Sequence, residues 1–263
     1  MNISLTDRHA LVCGSTQGIG KAAAIELASL GATVTLLARN EEVLKAVLAE
    51  LPTPENQAHS YLLADFSKPE QVKTTVSDYL DAGNPAFTIL INNTGGPPGG
   101  PITEAKVEDF FAAYTMHLAC NHLLAQTVLP GMKAAGYGRI VNVISTSVKI
   151  PLNGLGVSNT TRGAVASWAK TLANEVGQFG ITVNNVLPGF TNTARLDQII
   201  DARAAKNGVD RQVIIDQFVG TVPAKRFADP AETGSVIAFL CTPATGYVNG
   251  TSIPVDGGRT GSI

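Results

Sequence analysis

Residues 13 to 31 read CGSTQGIGKAAAIELASLG. Three glycines, Gly14, Gly18 and Gly20, follow a short apolar run, HALVC (9–13), and open a stretch of alanine, isoleucine and leucine that suits a helix. A glycine-rich turn between a strand and a helix lets the backbone approach a pyrophosphate closely, and the helix N-terminus adds oriented N–H donors and a partial positive charge. A tight strand-to-helix turn that binds nothing uses the same glycines. The context points to a dinucleotide: a strand before, a helix after, and a second strand about 20 residues on that ends in LLARN (36–40).

Working outward, short β-branched runs alternate with longer helical patterns. The segments 9–15, 32–38, 59–65, 86–93, 139–145, 181–187 and 251–256 read as strands, each bounded by Gly, Pro, Asn or Asp. Helices are expected over 18–30, 40–51, 67–83, 104–135, 155–179 and 229–241, with start signals at Asn40, at Ser67 with Glu70 three residues on, and at Asp229 before Pro230. This alternation predicts an α/β fold, a doubly wound parallel sheet with helices on both faces. No linker or repeat divides residues 1–263, so a single domain is expected. One irregular segment, about 188–228, interrupts the rhythm and is read as a substrate-covering loop with helices.

Composition excludes several classes. With 44% apolar residues the 263-residue chain can bury a large core. Its net charge is −2 and its Lys and Arg are scattered, so no nucleic-acid partner is expected. The start has no basic n-region and no stretch approaches a membrane span of about 20 apolar residues, which implies a soluble, cytoplasmic protein without a membrane partner. Three cysteines far apart, Cys13, Cys120 and Cys241, suit reduced core thiols better than a disulfide frame, and no metal site is implied.

Five stretches together carry a specific likeness. The Gly-x-x-x-Gly-x-Gly turn, INNTG (91–95), GRIVNVIS (138–145), ITVNNVLPGFTNT (181–193) and PVDGG (254–258), in this order, resemble the short-chain dehydrogenase/reductase family, above all its 3-oxoacyl-acyl-carrier-protein reductase branch. The likeness covers essentially the whole chain. It implies a single-domain Rossmann fold with a seven-stranded parallel sheet, a nicotinamide cofactor, a small-molecule substrate and a homo-oligomer, tetramer or dimer.

The resemblance also assigns cofactor contacts. Gly14, Ser15, Thr16, Gln17, Gly18, Ile19 and Gly20 match the phosphate turn; Asp65 and Phe66, in LLADF (62–66), match the adenine contact. Asn92, Asn93, Thr94 and Gly95 match the segment beside the nicotinamide ribose, with Thr94 replacing an alanine, and Pro188, Gly189, Thr191 and Thr193 match the stretch that holds the nicotinamide amide. Singly, Asp65 also reads as a helix cap and Pro188-Gly189 as a plain turn. At the end of the second strand an acidic residue would select NAD(H). Ala38 stands there, followed by Arg39, whose guanidinium can take a 2′-phosphate in a two-pronged contact. NADP(H) is favoured and NAD(H) remains open, because Gln17 supplies no basic residue in the glycine-rich loop.

At the active centre the chain departs from its relatives. They hold a Ser, a Tyr thirteen residues later and a Lys four after that, with an Asn on the preceding helix; the phenol moves the proton, with its pKa lowered by the lysine. Ser145 falls on the serine position, but Ser158 stands for the tyrosine, Arg162 for the lysine and His117 for the asparagine. The flanks GRIVNVIS and GAVASWAKTLANEV (163–176) match without a gap, so the exchanges are real. A serine hydroxyl is a weak acid and Arg162 stays protonated. Substitutes are His117, which unperturbed would titrate near pH 6 to 7; Lys149 in STSVK (145–149); and Arg162 as an electrostatic anchor for a developing oxyanion. Each has a bland alternative: a hydrogen-bonded core histidine, a solvated lysine, a structural ion pair.

Three functions are compatible with this set. One is an NADP(H)-dependent oxidoreductase on a carbonyl or 3-oxoacyl-type substrate, with His117, Ser158 or water relaying the proton. Another is an enoyl-thioester double-bond reductase, with Arg162 and Ser145 holding the enolate. The third is a catalytically weak or inactive nicotinamide-binding sensor or partner protein. NTGGPPGGP (93–101) is read as a pocket wall or a plain loop, and Arg195, Arg203, Arg211, Phe218 and Lys225 as parts of the segment over the pocket.

Overall fold

The strand segments are apolar on both sides, and the computed structural model, which describes residues 1–262, buries both sides of the five inner strands. Strands β1 (His9–Cys13), β2 (Thr33–Ala38), β3 (Ser60–Leu63), β4 (Ile89–Asn92), β5 (Gly138–Val143), β6 (Ile181–Pro188) and β7 (Ser252–Val255) form one sheet in the order β3-β2-β1-β4-β5-β6-β7. Every pairing is parallel. The order reverses between β1 and β4, and the crevice that opens beyond the carboxyl ends of strands at such a switch point is where α/β sheets receive ligands. Seven parallel strands with helices on both faces agree with the expected single-domain Rossmann architecture.

On one face α1 (Gly18–Ser29), α2 (Glu41–Glu50) and α9 (Pro230–Leu240) cover Ala10, Val12, Ile89, Ile91 and Val141. On the other, α3 (Pro69–Asp81), α5 (Cys120–Ala135) and α6 (Gly156–Val176) cover Leu11, Leu37, Leu90, Ile140 and Val183. Cys13, Cys120 and Cys241 are buried free thiols, which burial pushes up, to about 12 for the latter two. Among the described residues no helix is long and apolar enough to cross a membrane.

Two of the three expected helix starts hold. Asn40 accepts the Val43 N–H at 3.1 Å, and Asp229 accepts the Ala231 N–H at 2.8 Å while Glu232 reaches back to the Asp229 N–H at 2.9 Å. Ser67 is not a cap: its N–H goes to Asp65 Oδ1 at 2.9 Å, and α3 starts after Lys68, with Pro69 in its first turn. The helix expected over 104–135 runs without interruption from Val107 to Ala135, with a change of winding inside it. It comprises α4 (Val107–Tyr114), a π-helical turn at Thr115–Ala119 and α5, and His117 sits inside the π turn. π turns widen the helix by one residue and often mark functional positions.

Segment 188–228 holds two helices, α7 (Ala194–Asn207) and α8 (Arg211–Gly220). They share a small core of Leu196, Ile200, Ala204, Ile214 and Phe218, on which Phe190 stacks with ring centroids 4.5 Å apart. A bridge between Thr191 and Ala228 pins the two ends of this excursion to each other.

A polar row crosses the sheet from the carboxyl end of β4 to the start of β7. Asn92, Asn142, Asn185 and Ser252 are register partners on neighbouring strands. Each amide donates to the next side chain: Asn92 to Asn142 at 2.9 Å, Asn142 to Asn185 at 3.0 Å, Asn185 to Ser252 at 3.1 Å. An unsatisfied buried amide costs about 1–3 kcal/mol, so the row is stable only because it is continuous. Asn92 Oδ1, at its β4 end, is buried without a partner.

Candidate active site

The glycine-rich turn is held from two sides. Gly14 and Gly18 adopt φ of +57° and +54°, which a side chain strains to reach. Asn93, just beyond β4, donates from Nδ2 to the carbonyls of Gly14 at 3.1 Å and Cys13 at 3.3 Å. Opposite, the Thr193 methyl lies 3.0 Å from where a Gly18 Cβ would stand. A groove of about 400 Å³ runs between the α1 and α7 starts, lined by Gly18, Lys21, Asn192 and Thr193 among others. No side chain caps α1, its first turn holds no acidic residue, and the Ser15 hydroxyl is buried without a partner. Free donors and a helix's positive end thus face one place, and they fit an anionic phosphate group. Thr16 is half-buried, Gln17 exposed, and Ile19 packs against the core beneath.

At the ends of β2 and β3, Arg39 is exposed and close enough to Asp65 to act on its charge. The Ser67 N–H bond holds the Asp65 carboxyl below the usual carboxylate range, with Arg39 and Lys68 adding to it. Asp65 is therefore a turn cap with one oxygen committed. The Phe66 ring is buried in the core and its carbonyl accepts from Cys120 Sγ at 3.2 Å, so a ligand meets only backbone here.

Four expected contact residues have their side chains engaged in the scaffold. Asn92 belongs to the polar row, and Asn93 clamps the glycine turn. The Thr191 hydroxyl donates to Gly189 O and the Thr193 hydroxyl to Thr191 O, both at 3.3 Å; Thr193 also caps α7 by accepting the Leu196 N–H. Pro188 ends β6, and the Gly189 N–H is tied to Val255 O at 2.9 Å. A Cβ on Gly189 would stand 2.7 Å from Asp256 Cα, which explains the glycine. Thr94 is half-buried and Gly95 is open on its Cβ side.

The catalytic candidates collect at the carboxyl end of β5. Ser145, half-buried, accepts the Ser147 N–H at 3.1 Å, which leaves its own O–H free to donate. Arg162, one helical turn after the half-buried Ser158 on α6, is buried and donates from Nη1 to Val143 O at 2.7 Å. Burial, reinforced by the Arg195 charge, lowers its pKa to about 10, so it remains a cation at neutral pH. Lys149 is exposed. A cavity of about 170 Å³ opens beside Ser145, lined by Thr146, Ile150, Leu152, Thr221, Arg259 and Thr260.

His117 corrects an expectation. It is only 2% exposed, its Nε2 has no partner, and burial, then the Arg162 charge, push its pKa to about 2 against a weak opposing bond from the Gly95 backbone. It stays neutral near pH 7 and does not titrate between 6 and 7, so no break from it enters a rate profile there. Stability shows it instead. The unfolded chain takes up this proton below about 6.5 and the folded chain only near 2, so the histidine's contribution is complete above 6.5 and is lost as pH falls through that window. The slope is at most about 1.4 kcal/mol per pH unit. Urea melts of His117→Asn should therefore lose less stability than wild type on acidification below pH 6.5; parallel curves would refute the buried neutral state.

Two features escaped the sequence. The polar row needs the strand order to be seen, and Arg195 reveals its place only in three dimensions, where its Nη2 donates to Pro97 O at 2.7 Å beside Arg162.

A protein-family model described as Enoyl-(Acyl carrier protein) reductase matches residues 14–260. A tropinone reductase homolog of Arabidopsis thaliana is 33% identical over 98% of this chain and 92% of its own length. An NADPH-dependent reductase of Bacillus subtilis, BacG, is 26% identical over 98% of this chain and 100% of its own. Among solved structures, L-sorbose reductase from Gluconobacter frateurii, complexed with NADPH and L-sorbose, superposes with a TM-score of 0.93 at 30% identity, covering 100% of both chains. Sequence, sheet order and these likenesses agree: the chain belongs to the short-chain dehydrogenase/reductase family.

Proposed function

We propose that this protein is an NADP(H)-dependent oxidoreductase that reduces a carbonyl substrate, of 3-oxoacyl or related oxo type. The observation that carries the reading is the placement, beyond the carboxyl ends of the inner strands β1 and β5, of an uncapped α1 N-terminus, a free serine hydroxyl and a buried guanidinium. The NADPH dependence of BacG and the NADPH held by L-sorbose reductase support the cofactor choice. In this reading Gly14 to Gly20 and the α1 N-terminus take the pyrophosphate, Arg39 the 2′-phosphate, Asp65 the adenine, and the backbone of 93–95 and 188–193 the nicotinamide half. The bound reduced cofactor supplies a hydride. Ser145 donates a hydrogen bond to the substrate oxygen, and Arg162 stabilises the negative charge that develops on it without releasing a proton. Neutral His117 supplies no proton either, so the proton comes from water that Ser158 can orient. Exposed Phe111 and Tyr114 on α4, 67% and 52% accessible, support association into a dimer or tetramer.

The test mixes purified protein and NADPH with ketones, 3-oxoacyl thioesters and enoyl thioesters while following NADPH oxidation. Oxidation with oxo compounds supports the reading. Binding of NADPH without oxidation by any of them defeats it, and oxidation by enoyl thioesters alone moves the hydride from the carbonyl to a double bond. In the same protein Arg39→Ala should weaken NADPH by about tenfold, the magnitude of a charge-assisted phosphate contact, and NADH far less. Equal losses would remove Arg39 from the phosphate.

A further inference from the structure

Two guanidinium groups meet at the loop 95–97, and among the described residues no carboxylate pairs with either. Arg162 reaches it from α6 and Arg195 from the first turn of α7. A Cβ on Gly96 would lie 3.7 Å from Arg162 Nη2 and 3.9 Å from both Arg195 Nε and Nη2, so the two cations flank one point. Their recorded hydrogen bonds are to backbone carbonyls, Val143 O and Pro97 O. Among the described residues no ion pair involves them; the carboxylates of α7, Asp197 and Asp201, engage Arg211.

This arrangement is costly. Arg162 is 8% exposed, and its Nε is buried without a partner. A buried cation normally keeps a counter-ion, and a second cation beside it adds repulsion, which also contributes to the lowered pKa of Arg162. An anion placed between the two removes both penalties. Each guanidinium presents five N–H donors in a planar fork that matches the two oxygens of a carboxylate. The place also separates this anion from the cofactor's phosphates. Arg162 hangs from Val143, two residues before Ser145, whereas the free donors suited to a pyrophosphate lie at the α1 N-terminus.

We propose that Arg162 and Arg195 together bind a carboxylate of the substrate beside its reacting carbonyl, so that the preferred substrates are oxo acids rather than neutral ketones or thioesters. The proposal rests on the reductase reading above and narrows it. Arg195 and the Nη2 arm of Arg162 fix the acid end, and the carbonyl oxygen takes the Ser145 hydrogen bond and the field of the same Arg162 guanidinium.

The test uses two probes with the same carbonyl, phenylglyoxylate and its methyl ester, which differ by one negative charge. Their binding to the NADPH-saturated protein is measured by calorimetry, in wild type and in Arg195→Gln, a half-buried position whose exchange leaves the core untouched. The expected result is tighter binding of the anion than of the ester by at least about tenfold, falling to within about twofold in Arg195→Gln, with NADPH affinity unchanged. Equal affinities for the two probes, binding of neither, or a charge preference that survives Arg195→Gln would each overturn the proposal. If Arg195→Gln instead weakens NADPH by about tenfold and leaves the anion preference intact, the pair serves the cofactor's phosphates. Binding is read without turnover, so anion binding with no NADPH oxidation by any oxo compound would refute the reductase reading and leave the carboxylate site standing.

Discussion

Arg162→Lys is expected to lower kcat/KM by about 10²- to 10³-fold, the range for removing one preorganised oxyanion donor. The exchange keeps the positive charge, so the loss isolates what the guanidinium fork does. Arg162 donates to Val143 O at 2.7 Å with one arm while Nη2 lies beside Gly96 on the substrate side. A lysine ammonium is a compact charge that can serve one of these places at a time, and as a strongly hydrated ion it is harder to bury. Lysine at this position also restores the residue that relatives use, and it should still fail, because there the lysine assists a phenol and here Ser158 stands in the phenol's place. Ser145→Ala is the companion variant: it should cost a comparable factor in rate and, because the same hydroxyl accepts the Ser147 N–H, lower the melting temperature only slightly. Steady-state kinetics with thermal melts decides the matter. A properly folded Arg162→Lys protein with the wild-type rate would exclude the guanidinium from the chemistry.

The parts of this site that were legible before the structure are those set by local spacing. Glycine positions 14, 18 and 20, the β-branched runs and the ungapped flanks of Ser158 and Arg162 are written in contiguous residues, and the alternation of strands with helices fixes the parallel sense of the sheet but not its strand order. The stretch 188–228 read as irregular because its helices bury little; α7 buries Leu196, Ile200 and Ala204 and is otherwise largely polar, although Thr193 and Gly208 stand at its two caps. The ionisation of His117 was not legible at all. A histidine's titration depends on how much water and which charges surround it, and both the π turn and the proximity of Arg162 are tertiary facts. The Arg162–Arg195 pair is hidden for the same reason, since α6 and α7 meet only over the loop 95–97. Asparagines 92, 142 and 185 lie in apolar strands where alternation alone gives no reason for them; their reason is one another.

Gly20→Ala should be the most damaging single methyl group in the protein. Its Cβ would stand 2.2 Å from Gly14 O and 2.6 Å from Asn93 Nδ2, far inside contact distance. Neither neighbour can yield cheaply: Gly14 O is backbone of the glycine-rich turn, and Asn93 Nδ2 is the donor that fixes that carbonyl at 3.1 Å. The added methyl therefore wedges apart the clamp that aligns the α1 N-terminus. Overpacking of this kind costs about 1–3 kcal/mol in stability. Nicotinamide cofactor affinity should fall by at least about tenfold, because backbone N–H groups displaced from a phosphate each forfeit a charge-assisted bond of roughly 1.5–3 kcal/mol. Gly163→Ala supplies the contrast. It lies inside α6 with nothing within 4 Å of its Cβ position, so alanine there should stabilise by about 0.5–1 kcal/mol through helix propensity. Denaturant melts and cofactor titration of both variants separate the two effects. Wild-type stability and affinity in Gly20→Ala would mean that the turn relaxes freely, and that Asn93 does not hold it in the geometry a phosphate requires.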